Sequence, residues 1–372
     1  MISCGEPSGD LYAGALATEL LRLEPTATIV GLGSRRLRDA GATLTADFSG
    51  LSVTGLLEVA RLLPRTYATY RRLVRDARAH RPDVLVAIDF PDFNFFLARA
   101  LRRIGVPVVY YISPQLWAWR RGRMDTMKRI ADRVLVIFPF EEAIYRDAGI
   151  PVQWVGHPLL DVTPEPGSRV DFLKSVGLNS ARAVVALLPG SRRNELHAIL
   201  PDLVRGAMLI RQRLPEVQFV VARAPHLDDA LFAPLAALND VAIVEGRTDD
   251  VLNAADVALV ASGTVTVQAA LHECPMVVVY RLSSLTYRLG KPFVHVDTYA
   301  MANLVAGRRV VPELIQDDFT PQRVADEALR VLTDSTHAAA VRRELRDVRT
   351  RLGAAGASQR AAKAVLEVAR RR

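Results

Sequence analysis

The sequence predicts an α/β protein made of two Rossmann-like halves with a cleft between them and helices at its C-terminal end. Three observations carry that expectation. Apolar runs of strand length alternate with segments of helical periodicity along most of the chain. A stretch rich in proline, glycine and polar residues, Asp161-Val162-Thr163-Pro164-Glu165-Pro166-Gly167-Ser168, interrupts the pattern near the middle. The length, 372 residues, exceeds what one hydrophobic core usually fills.

In the first half the apolar runs cover 28–32, 84–88, 106–112, 134–138 and 152–155; in the second they cover 183–188, 218–222, 241–244, 257–260 and 276–280. They are apolar throughout rather than alternating, as expected of parallel strands covered on both faces. Segments 11–23, 65–80, 95–104 and 194–214 place apolar residues at helical spacing between them. The expected divisions are 1–161, 169–320 and a helical segment 321–372 ending in three arginines. The run before Gly5 holds only Ile2 to Cys4, against about five or six residues for a usual strand. The first strand is therefore expected to be cut short, as a misplaced start would leave it.

Composition narrows the function classes. Half of the residues are hydrophobic and 24% are charged. No charge-free apolar stretch approaches the roughly 18 residues a spanning helix needs. The N-terminus lacks the basic segment, apolar core and cleavage site of a secretory signal. Cys4 and Cys274 are the two cysteines, far apart and without metal-ligand or redox spacing, so neither a disulfide framework nor a metal site is expected. A cytoplasmic location fits. The net charge of +8, from 48 basic and 40 acidic residues, favours phosphates or an acidic membrane surface without singling out nucleic acid.

Two small-residue turns in the second half point to a diphosphate. Leu188-Pro189-Gly190-Ser191-Arg192 and Ala261-Ser262-Gly263-Thr264 each follow an apolar run and open a helical pattern. Such a turn leaves the next helix's first N–H groups without partners, and these attract anions with help from the helix dipole. Arg192 adds a positive charge. The same residues also make ordinary strand-to-helix turns.

In the first half, loops after the apolar runs gather polar groups where open α/β sheets bind ligands. Gly5-Glu6-Pro7-Ser8-Gly9-Asp10 offers two carboxylates and two glycines, with Asp10 also a candidate helix cap; it is not a dinucleotide fingerprint. Asp89 ends a very apolar run, where a partly desolvated carboxylate can act as a base, and Asp92 and Asn94 follow it, each also able to cap the next helix. Ser113-Pro114-Gln115-Leu116-Trp117-Ala118-Trp119-Arg120-Arg121 pairs tryptophans for a sugar face with arginines for a phosphate; core tryptophan with snorkelling arginine is the alternative. Leu56, Leu57, Leu62 and Leu63, bordered by Arg61 and Arg65, suit a membrane surface or a core helix. His157 has no second ligand nearby and makes no metal site.

Taken in order, these blocks resemble the lipid-A-disaccharide synthase family. Gly-Glu-Pro-Ser-Gly-Asp at 5–10, Ile-Asp-Phe-Pro-Asp-Phe-Asn at 88–94 and Ser-Pro-Gln-Leu-Trp-Ala-Trp-Arg at 113–120 carry the likeness in the first half, with Phe-Pro-Phe-Glu at 138–141 and Gly-His-Pro at 156–158. Leu-Leu-Pro-Gly-Ser-Arg at 187–192, Ala-Ser-Gly-Thr at 261–264, Pro-Met-Val-Val at 275–278 and Asn-Leu-Val-Ala-Gly at 303–307 carry it in the second.

The resemblance implies a GT-B fold and an inverting, metal-free and cofactor-free glycosyl transfer. UDP-2,3-diacylglucosamine would be the donor, bound by the second half, and 2,3-diacylglucosamine 1-phosphate (lipid X) the acceptor, bound by the first. It further implies a homodimer peripheral on the inner face of the cytoplasmic membrane. Asp89 matches the general base. Gly190, Ser191, Arg192, Ser262, Gly263, Thr264, Gln268 and Asn303 fall on the donor side; Glu6, Ser8, Asp92, Asn94, Trp117, Trp119 and Arg120 fall on the acceptor side. Arg121 and Arg123 join Arg120 as candidates for the acceptor phosphate or lipid headgroups. The short first strand departs from the family, as does Gln268, where its members usually carry a ribose-binding glutamate. A UDP-GlcNAc 2-epimerase, a lipid-linked N-acetylglucosaminyltransferase and an inactive nucleotide-sugar or lipid binder are the alternatives.

Overall fold

A computed structural model describes residues 1–48, 56–119, 121–225, 227–282 and 298–371; the side chains of 56–62, 118, 119 and 121 also lie outside the description. The chain divides into two compact units, Met1–Val162 with Leu352–Arg372 and Thr163–Arg351. The boundary falls inside the proline-rich interruption at 161–168.

In the first unit, parallel strands form a sheet of order β3-β2-β1-β4-β5-β6-β7: β1 (Ile2–Ser3), β2 (Val30–Gly33), β3 (Thr43–Asp47), β4 (Leu85–Ile88), β5 (Val108–Tyr111), β6 (Arg133–Val136) and β7 (Val152–Trp154). Short as β1 is, it lies centrally. Ile2 pairs with Gly31 on one side and Val86 on the other, and the ladder continues as Cys4 N donates to Leu32 O and Val86 N to Met1 O. Neighbours on both sides supply the alignment that two residues alone would lack.

The second unit repeats the plan with order β10-β9-β8-β11-β12-β13: β8 (Val184–Leu188), β9 (Gln218–Arg223), β10 (Val241–Glu245), β11 (Val257–Ala261), β12 (Met276–Tyr280) and β13 (Glu313–Ile315). Val185, Leu187, Leu259 and Val277 face a buried cluster with Leu196, Leu200 and Leu203 of the helix Arg193–Arg213. Each such buried side chain contributes about 1.5–3 kcal/mol, so the unit's stability rests on this face. β3 and β13 stand at sheet edges and have no apolar run to announce them. β3, carrying Thr43, Thr45 and Asp47, is only partly covered, whereas in β13 Glu313 is buried and its carboxylate accepts from Tyr299 N, Ala300 N and Asn303 Nδ2.

Helix starts fall earlier than periodicity indicates where proline occupies the first turn. Pro7–Leu23 and Pro91–Arg102 begin at residues whose missing N–H costs nothing there. The helix Leu56–His80 likewise extends upstream and contains Pro64.

The C-terminal segment is not one piece, which corrects the division at 321. Helices Pro321–Thr333 and Ser335–Arg351 belong to the second unit, whereas Ala357–Ala369 joins the first. There the Asp161 carboxylate accepts from Gly356 N (2.5 Å), Ala357 N (3.3 Å) and Ser358 N (2.7 Å), capping the last helix. Among the described residues no helix is long and apolar enough to cross a membrane.

Candidate active site

In the first unit the strand-end loops hold carboxylates in different states. Glu6 is the N-cap residue of Pro7–Leu23 and half-buried, with Ser8 in the first turn. Asp10 is buried, and its carboxylate accepts from Ser34 N (2.6 Å), Arg36 N (2.8 Å) and Leu37 N (3.4 Å). It therefore caps the short helix Arg35–Asp39 rather than its own, and its oxygens are occupied within the fold.

Asp89 follows β4 on a turn with two successive left-handed residues, φ 43° at Asp89 and 47° at Phe90. Its carbonyl accepts from Asn94 Nδ2 (2.8 Å) and the Tyr110 hydroxyl (2.8 Å). Burial raises the pKa of the Tyr12 and Tyr110 phenols, and the nearby Asp89 charge raises both further. Asp92 is exposed and paired with Arg123 at 2.7 Å. Asn94, expected among the acceptor contacts, is fully buried with its amide used on backbone and Ser3. It shapes the turn instead, because no part of its side chain reaches the surface.

Trp117 is half-buried; its Nε1 donates to Glu141 Oε1 (3.2 Å) and its ring meets Phe140 edge-on at 5.1 Å. Glu141 Oε2 accepts from Phe138 N (3.2 Å). Burial pushes the Glu141 carboxyl up to about 7, opposed by those donors. Trp119 ends the short helix Leu116–Trp119, while its side chain and the whole of Arg120 lie outside the described residues. His157 is buried against Tyr12 and Phe138, and its Nδ1 accepts from Leu159 N (3.2 Å). Burial pushes it down to about 3, so the ring is neutral near pH 7.

In the second unit, Gly190 has φ 119° between β8 and Arg193–Arg213. The loop's N–H groups are engaged: Ser191 N (3.0 Å) and Arg192 N (3.3 Å) donate to Glu195 Oε2. Arg192 Nη1 donates to Glu195 Oε1 at 2.8 Å. The positive charge thus comes with its own counter-charge, which holds the guanidinium in place and competes with any incoming anion. Glu195 was not singled out from sequence, though its place three residues after a helix-opening residue is capping-box spacing.

Ser262 extends β11, its N–H donating to Val279 O (2.9 Å), and Gly263 and Thr264 lead into the helix Val265–Leu271. On that helix Gln268 Nε2 donates to Asp249 Oδ1 (3.4 Å), which also meets His272 Nε2 (2.9 Å). Asp249 thus puts a carboxylate beside the position where Gln268 lacks one. Asn303, expected on the donor side, is buried; it donates to Val311 O (2.9 Å) and Glu313 Oε1 (2.6 Å) and accepts from Val310 N and Val311 N. This too corrects the expectation, since its polar atoms tie the chain to the edge strand.

Leu56, Leu57 and Leu62 lie on Leu56–His80 with side chains outside the described residues. Leu63 is 59% exposed and Tyr67 61%, with Arg65 exposed between them. The core-helix alternative does not hold at Leu63.

Two parallel sheets covered by helices, with a carboxylate at a strand end in one unit and small-residue turns with an arginine in the other, form the α/β fold shared by GT-B glycosyltransferases and UDP-sugar epimerases. The calicheamicin glycosyltransferase structure shares the fold, with TM-score 0.61 and 18% identity over 100% of this chain and 97% of that one. So does the UDP-GlcNAc 2-epimerase of Neisseria meningitidis bound to UDP-GlcNAc, with TM-score 0.66 and 13% identity over 95% and 96%. The sequence family described as Lipid-A-disaccharide synthetase matches residues 1–368. The lipid-A-disaccharide synthase of Geobacter sulfurreducens is 44% identical over 373 residues, covering 99% of this chain and 96% of that protein. The chain belongs to the lipid-A-disaccharide synthetase family and is a glycosyltransferase of lipid A synthesis. The epimerase likeness is one of fold alone.

Proposed function

We propose that the chain transfers 2,3-diacylglucosamine from its UDP donor to the 6-hydroxyl of lipid X, releasing UDP and the β-1,6-linked disaccharide 1-phosphate. The observation that carries the mechanism is Asp89, a carboxylate presented on a braced turn at the end of β4. The acceptor hydroxyl is a poor nucleophile near neutral pH, so Asp89 takes its proton as oxygen attacks the anomeric carbon. The bond to the diphosphate breaks, its electron pair leaves with UDP, and one displacement inverts the anomeric centre.

Negative charge grows on the departing diphosphate. Arg192, the backbone donors of Gly190, Ser191, Gly263 and Thr264 and the Ser262 hydroxyl are the groups suited to stabilise it, with Gln268 toward the nucleoside. Glu195 must then yield the N–H groups it holds. Glu6, Ser8, Asp92, Trp117, Trp119 and Arg120 are assigned to the acceptor. Both substrates carry acyl chains, so Leu56, Leu57, Leu62 and Leu63 with their flanking arginines are assigned to the inner face of the cytoplasmic membrane. A homodimer is part of the same reading.

The test is UDP release on mixing purified protein with synthetic donor and lipid X, with mass analysis of the disaccharide. UDP release without disaccharide, or neither, rejects the reaction.

A further inference from the structure

The function proposed above gives no role to the last residue of the Ile-Asp-Phe-Pro-Asp-Phe-Asn motif. Asn94 lies buried on the helix Pro91–Arg102 and reaches back across the turn that precedes it. Its Nδ2 donates to the carbonyl oxygens of Ser3 (3.2 Å), Ile88 (3.2 Å) and Asp89 (2.8 Å). Its Oδ1 accepts from the Ser3 hydroxyl (2.7 Å), which ties β1 into the same knot. From the other side the buried Tyr110 donates its hydroxyl to the Asp89 carbonyl at 2.8 Å.

These groups converge where the backbone is most constrained. Asp89 and Phe90 are consecutive non-glycine residues with positive φ, a conformation that persists only where the surroundings over-determine it. Phe90 is gripped as well: a Cβ on Gly5 would lie 2.3 Å from Phe90 Cδ1, so only glycine lets β1's loop close over that ring. A left-handed residue breaks the alternation of side chains along a strand, and the conformation at 89 therefore sets where its carboxylate points.

We infer that Asn94 and Tyr110 are positioning residues for glycosyl transfer, gripping the Asp89 carbonyl so that its carboxylate stands where the acceptor proton leaves. The inference rests on reading Asp89 as the base.

The test is a double-mutant cycle on kcat and KM, with a thermal melt for each variant. Tyr110→Phe, which removes one oxygen, lowers kcat about tenfold with KM for both substrates unchanged, because small misplacements of a reacting group are costly. Asn94→Ala lowers kcat further. In the Asp89→Asn background neither change lowers kcat again, since the group being aimed is gone.

Equal losses in both backgrounds would mean a general structural role and overturn the inference. So would a normal kcat for Tyr110→Phe beside a crippled Asp89→Asn, and in that case the base assignment stands. Normal turnover of Asp89→Asn by itself removes the base and, with it, the positioning. Should Asn94→Ala fail to fold, the Tyr110→Phe arm decides the question.

Discussion

The turn after β4 and the turn after β8 solve the same geometric problem in different ways. Each follows a buried parallel strand, passes through positive φ and opens a helix. After β8 the positive φ falls on Gly190, which adopts it freely, and the loop is held by Glu195 from within its own helix. After β4 it falls on Asp89 and Phe90, at a cost of about 1–3 kcal/mol each. The bracing there comes from Asn94 and from Tyr110 on a neighbouring strand. The difference suits the roles proposed for the two turns. A turn that binds phosphate through backbone N–H groups can place glycine at its strained position, whereas a turn that presents a base must keep a side chain there.

Substitutions at the two turns should therefore separate kinetically. Asp89→Asn is expected to cut kcat by about a hundredfold or more with substrate binding intact, the usual scale for losing a general base. Near-normal turnover would shift the base to another carboxylate, such as Glu6 or Asp92. Arg192→Ala is expected to weaken UDP binding by about 1.5–3 kcal/mol, measured by calorimetry, because a charge-assisted contact is lost. Arg192→Lys should recover part of it, since an ammonium lacks the guanidinium's fork. Equal UDP affinities for wild type and Arg192→Ala would break the assignment of the second turn to the diphosphate.

Two helix-capping glutamates extend the comparison to pH. Glu195 is half-buried beside Arg192, whereas Glu141 is buried and receives only neutral donors. Its carboxyl holds a proton up to about 7 in the fold, against an ordinary value of 4.5. The stabilisation this gives is complete below pH 4.5 and is lost as pH rises through about 7. His157, pushed down to about 3, works the other way: the stability it carries is lost as pH falls from 6.5 toward that value. Melts of wild type and Glu141→Gln at matched pH cancel the histidine. The glutamine variant is expected to gain relative stability between pH 5 and 7, and a constant difference would mean Glu141 does not titrate there.

The smallest expected effect lies on the outer face of the first unit. Leu63→Ser should reduce sedimentation with anionic vesicles while moving the melting temperature little, because Leu63 is already 59% exposed. A large fall in melting temperature with unchanged vesicle binding would place membrane contact elsewhere.

Much of this arrangement was legible in the residues. Central strands such as β4, β8 and β11 are apolar throughout, and small-residue turns mark where they end. Asp89 stood out because it ends such a strand. Asn94 and Asn303 were misread as ligand contacts, since polarity in a motif does not reveal burial. Tyr110 had no local signal at all. It lies 21 residues from Asp89 and meets it only because β5 pairs with β4 in the register Ile88↔Tyr111.

By itself the sequence determined the repeated α/β plan and the small-residue turns that follow its strands, because apolar periodicity and turn residues are local properties. Tertiary structure alone decided the rest. It placed the two-residue β1 between β2 and β4, assigned the last helix to the first unit through Asp161, and set Glu195 and Asn94 against the backbone of their turns. The reason is that hydrogen bonds to buried or helix-terminal backbone groups are satisfied by whichever side chain packing brings near, and sequence separation does not limit that choice.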